Sequence, residues 1–92
     1  MCTIDYEARQ HRLRVSGRCE GPEAATVITD AIGTFGRGAR RLIVDLTALT
    51  HLTEEVAAAI VAAGAEVSPC EVTFVRKHGT DVDRRLSDAG PA

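Results

Sequence analysis

Thr53, Glu54 and Glu55 stand where an apolar run, Leu42-Ile43-Val44-Asp45-Leu46, and a short polar stretch give way to an alanine-rich segment. A hydroxyl followed by two carboxylates suits the start of a helix. The hydroxyl accepts a hydrogen bond from an orphaned N–H, and each carboxylate gains about 0.3 to 1 kcal/mol from the positive end of the helix dipole. That preference is sufficient by itself to explain the three residues. Their position adds a second reading, because ligands and partners of open α/β sheets bind at the carboxyl ends of parallel strands. His51, Thr53, Glu54 and Glu55 are therefore a candidate partner-binding loop.

Other residues of chemical interest are explained more simply. His51 and Glu54 have H-x-x-E spacing but lack the third ligand that zinc needs, so a surface histidine and no metal are expected. The glycine-rich Gly33-Thr34-Phe35-Gly36-Arg37-Gly38 closes a helix, whereas phosphate-binding loops open one, and it reads as a turn. Asp45 has no catalytic partner nearby in sequence and is expected to hydrogen-bond a neighbouring loop. Arg76, Lys77, Arg84 and Arg85 suggest a small basic patch or, more simply, a solvated face. Cys2, Cys19 and Cys70 are widely spaced and odd in number, and read as reduced thiols. With no nucleophile–base pair and no ligand cluster, neither catalysis nor a cofactor is expected.

The elements that position the loop follow from composition and periodicity. Ninety-two residues, 45% hydrophobic and 26% charged, make one domain, which by size buries about 60% of its unfolded surface. A net charge of −2 with no basic stripe disfavours nucleic acid. Thr3-Ile4-Asp5-Tyr6-Glu7 and Arg12-Leu13-Arg14-Val15-Ser16 alternate polar with apolar residues and predict an antiparallel hairpin. Gly21-Pro22-Glu23 opens an amphipathic helix carrying Ala24, Val27, Ile28, Ala31, Ile32 and Phe35. Residues 42–46 read as a central strand covered on both faces, residues 53–65 as a second helix and residues 71–75 as another strand. A last helix spans residues 81–89, capped by Thr80 and stopped by Gly90-Pro91. The order ββαβαβα predicts a single α/β domain over residues 1–92, with a four-stranded mixed sheet and helices packed on it.

This order, together with residues 38–46, Val82-Asp83-Arg84-Arg85-Leu86-Ser87-Asp88-Ala89-Gly90 and the loop before the second helix, resembles the STAS family of sulfate-transporter tails and anti-sigma-factor antagonists. The likeness covers roughly residues 10 to 90. In that family Asp-Ser-(Ser/Thr/Ala)-Gly follows the central strand and the serine is phosphorylated; here the positions read Thr53, Glu54, Glu55 and Val56. Family members also continue into another strand and helix. The resemblance implies a protein-interaction module of a bacterial partner-switching system, binding a kinase-like anti-sigma factor or related regulator. A phosphoserine there would block docking, and Glu54 imitates it only in part, with one charge where phosphate carries about −1.5 to −2. The alternative is an accessory subunit docked on a larger assembly such as a transporter ATPase.

The second helix offers a further surface. No charge interrupts residues 56–65, and Ala57, Val61 and Gly64 lie opposite the face of Val56, Ala59, Ile60 and Ala63. They are a candidate partner-binding face for another protein or a second copy, although alanine is also simply a strong helix former. The apolar run is about half of what a membrane span needs and residues 1–20 are too polar for a signal peptide, so a cytoplasmic protein is expected.

Overall fold

A computed structural model describes residues 1–90. The chain runs β1 (Cys2–Glu7), a 3-10 turn (Ala8–Gln10), β2 (Arg12–Cys19), α1 (Gly21–Gly36), β3 (Arg41–Leu52), α2 (Glu54–Glu66), β4 (Glu71–Val75) and α3 (Asp81–Ala89). This is the expected α/β order, built on one mixed sheet with strands in the order β1-β2-β3-β4. β1 pairs antiparallel with β2, and β2, β3 and β4 are parallel. Residues 42–46 are interior and residues 71–75 run parallel to them, as the sequence predicts.

Both crossovers, β2-α1-β3 and β3-α2-β4, step across the sheet in the same direction. Crossovers of one hand that step the same way deliver their helices to the same face. α1 and α2 accordingly pack against each other, and α3 packs on α2 and β3. The core lies between the helices and the strand residues Leu13, Val15, Leu42, Val44 and Leu46. Ile28 and Ile32 of α1 and Val56 and Ile60 of α2 close it from above, all with no exposed surface. Tyr6 of β1 stacks on Phe35 of α1, with ring centroids 3.9 Å apart, and fixes the end of α1 over the hairpin.

The expectation of a strand covered on both faces is therefore corrected. The face away from the helices carries Thr3, Asp5, Arg14, Arg41, Glu71, Thr73 and Val75, all exposed. In the apolar run Leu42, Val44 and Leu46 face the core and Ile43 is half-buried on the other face, but β3 does not stop at Leu46. It continues to Leu52, and the pairing with β2 slips twice, between Arg14 and Ser16 and between Gly17 and Arg18. At each slip β3 carries one residue more than β2, which is a β-bulge. The bulges turn Leu46, Leu49 and Leu52, three residues apart, all toward the core. The polar loop expected after Leu46 is thus bulged strand, and Thr53 alone joins it to α2.

The helix starts agree with the sequence. Pro22 lies in the first turn of α1, and Thr80 caps α3 by accepting the Asp83 N–H at 3.2 Å. Gly90 closes α3; Pro91, the other half of the expected stop, lies outside the described residues.

Candidate functional site

The carboxyl ends of β2 and β3 part at Cys19 and Leu52, their last paired residues. The Thr53 N–H donates to the Cys19 carbonyl at 3.4 Å, and the chain then turns into α2. Thr53 Oγ1 accepts the Val56 N–H at 3.4 Å and the Thr53 carbonyl accepts the Ala57 N–H at 2.9 Å, so Thr53 is the N-cap that the sequence predicts. Glu54 and Glu55 fall in the first turn. The Glu54 side chain is 89% exposed, with one oxygen 3.5 Å from Arg85 Nη1 of α3. An exposed pair of this kind is worth at most about 1 kcal/mol and leaves the carboxylate available to a partner. Glu54, Asp81, Arg84, Arg85 and Asp88 surround a shallow depression of about 240 Å³.

His51 belongs to β3, not to a loop, and its Nε2 lies 3.5 Å from Glu20 Oε2. The other Glu20 oxygen accepts from Arg18 Nε at 3.3 Å. Glu20 thus joins the site from the end of β2, a residue that sequence reasoning passed over. It lies one residue beyond the strand end, and knowledge of the β2–β3 register would have brought it beside His51. Among the described residues no cluster of three or more histidine, cysteine, aspartate or glutamate side chains is arranged to hold a metal ion.

Three of the four residues that suggested a basic patch are in ion pairs, and Lys77 is exposed. Arg76 meets Asp83 at 2.9 Å, Arg84 meets Asp81 at 3.1 Å and Arg85 meets Glu54. Asp83 also accepts the Gly79 N–H, and that bond, followed by the Arg76 bond and charge, holds its carboxyl below the usual aspartate value despite partial desolvation.

Asp45 is the one charged side chain buried among the described residues. Its Oδ1 accepts both the N–H of Thr47, at 3.0 Å, and the Thr47 hydroxyl, at 2.6 Å, across the first bulge. Oδ2 lies 3.8 Å from Arg12 and 3.7 Å from Arg14 on the uncovered sheet face. Burial pushes the Asp45 pKa up, but the two Thr47 bonds and the guanidinium charges outweigh it and hold the carboxyl below its ordinary value. The expected structural hydrogen bonding is observed, but its partner is Thr47 of the same strand and not a neighbouring loop.

Two expectations are corrected. Ala57 is completely buried, and Val61 is half-buried and packed against the core. Gly64 lies under Phe74, where an added Cβ would come within 2.8 Å of the ring. The chain therefore does not offer Ala57, Val61 and Gly64 as a free face, because α1, β4 and α3 cover α2 on more sides than one amphipathic stripe allows. The exposed alanines are Ala58, Ala62 and Ala65, one position further round. The second correction concerns the thiols: Cys2 and Cys19 form a disulfide across the ends of the hairpin, with Cα atoms 4.8 Å apart. Only Cys70 is free, buried, with its thiol pKa raised by desolvation and by the charge of Glu71.

Comparison of the chain with family models, with curated proteins and with solved structures finds no match.

Proposed function

We propose that this protein is a docking module of the partner-switching type, similar to an anti-sigma-factor antagonist, in which Glu54 stands where the phosphorylatable serine would be. The observation that carries the reading is the exposed Glu54 carboxylate at the start of α2, directly behind the carboxyl end of a central parallel strand. Thr53 spends its hydroxyl on capping, so the charge of Glu54 faces a partner from a fixed backbone. One negative charge with two acceptor oxygens is a partial substitute for phosphate, and neither a kinase nor a phosphatase can switch it. The module is thereby held in one binding state. The surface is made of Glu54, Glu55, Thr53, His51 and Glu20, and its partner is a kinase-like anti-sigma factor or related regulator. Such a partner works with ATP in the cytoplasm, and the reading places this chain there.

The test is isothermal titration of wild type and Glu54→Ser against a kinase-like anti-sigma factor, before and after incubation with ATP. Wild-type affinity is expected to ignore ATP, whereas Glu54→Ser should become phosphorylated and then bind more weakly. The substitution itself should cost a few tenths of a kcal/mol of stability, because serine also tolerates helix starts. Equal affinities in all four states would sink the reading and leave Glu54 as a helix-start residue.

A further inference from the structure

We propose that Cys2 and Cys19 are a thiol–disulfide switch whose state sets how firmly the crevice at Glu20, His51 and Thr53 is held. Cys19 is the hub of that crevice. Its carbonyl receives the Thr53 N–H that positions the cap of α2, and the next residue, Glu20, meets both Arg18 and His51. Cys19 is in turn bonded to Cys2, which begins the edge strand one residue from the amino end of the sequence. Beyond the sulfurs, the Cys2 side of this corner is held by edge-strand pairing and by one bond from the Arg18 N–H to the Met1 carbonyl at 3.3 Å, while Cys19 keeps its pairing with Leu52 of β3. Edge-strand pairing of this sort, bonded to the sheet on one side only, opens at lower cost than the interior strands.

The two sulfurs differ in access. Cys19 is completely buried, whereas Cys2 is half-buried and lines a depression of about 350 Å³ shared with Met1, Arg18, Glu20 and Val27. A reducing dithiol reaches the bond through Cys2. Its thiolate attacks Cys2 Sγ, and Cys19 leaves as thiolate and takes up a proton. The second thiol of the reductant then displaces Cys2, which is also protonated, while the reductant closes to its own disulfide. Two electrons and two protons pass to the protein, and a small disulfide such as oxidised glutathione takes them away again, becoming two reduced glutathione molecules as the Cys2–Cys19 bond re-forms. In a reducing cytoplasm a disulfide is transient, as a switch requires. Cys70 has no partner and takes no part.

The regulatory meaning rests on the docking reading, but the switch is measurable without any partner. Amide hydrogen exchange would be followed in the full chain as oxidised, after dithiothreitol, after re-oxidation with oxidised glutathione, and in Cys2→Ser. Reduction is expected to accelerate the Arg18 and Thr53 amides at least about tenfold more than Ile43 and Val44 in the middle of β3. Re-oxidation should restore protection in wild type only, and Cys2→Ser should match the reduced protein throughout. Uniform acceleration would make the bond a staple of the whole fold and overturn the switch, as would no acceleration or failure of glutathione to re-form the bond. If exchange responds but partner affinity does not, the switch stands without a regulatory link to docking, and the docking reading is decided separately by the Glu54→Ser titration.

Discussion

At the scale of the residue, Asp45 shows how one buried carboxylate is kept charged and what depends on it. The Thr47 amide is displaced from regular pairing by the first bulge, and Asp45 supplies its acceptor, while Arg12 and Arg14 balance the charge. Because the folded pKa lies below the ordinary 3.8, the stabilisation is complete above that value and is lost as pH falls through the lowered one. Asp45→Asn keeps an acceptor for Thr47 but loses the charge. Wild type should therefore be more stable than Asp45→Asn by about 1 kcal/mol near neutrality, the usual difference between charged and neutral hydrogen bonds. Urea denaturation over a pH series descending from ~pH 6 checks this: the difference should stay constant above the ordinary 3.8 and shrink below it, as pH falls through the lowered pKa of Asp45. A difference that persists in acid would mean that shape rather than charge holds the bulge.

At the scale of the element, α2 tests which alanines are structural. Ala57 faces the core with no exposed surface and Ala62 faces solvent. Ala57→Asp is expected to cost about 3 kcal/mol or more, since it buries an unpaired carboxylate, whereas Ala62→Asp should stay within about 0.5 kcal/mol. Thermal melts of the two variants suffice, and similar melting temperatures would mean that α2 is rotated from the orientation described. The helix starts were legible in the sequence because Pro22, Thr53 and Thr80 act through their own backbone neighbours. The second half of β3 was not: Leu46, Leu49 and Leu52 have a spacing that suits neither a regular strand nor a polar loop, and only the bulges explain it. The free face of α2 was misplaced for a related reason. Alanine carries so weak a hydrophobic signal that a helix buried on several sides projects much like one buried on a single side.

At the scale of the whole molecule, a single layer of helices covers one side of a four-stranded sheet, so a chain of 92 residues has a correspondingly thin core. The disulfide adds to it without adding apolar surface. Cysteines 17 residues apart gave no sign of pairing until the hairpin register set Cys2 opposite Gly17 and next to the strand end that bears Cys19. In chain-entropy terms, closing a loop of this length restricts the unfolded state by about 3 kcal/mol. That is a large share of the roughly 5 to 15 kcal/mol typical of small domains, yet not all of it. The reduced protein is therefore expected to remain folded, since Leu13, Val15, Val44, Ile28 and Ile60 keep their burial whether or not the sulfurs are joined. Its unfolding midpoint should drop by about 1 M guanidinium while the slope of the transition changes little, because the surface exposed on unfolding is nearly the same. Paired titrations with and without dithiothreitol measure this directly. Complete unfolding on reduction would show that the sheet and its one helical layer cannot hold the fold alone. An unchanged midpoint would show that the bond contributes nothing to stability.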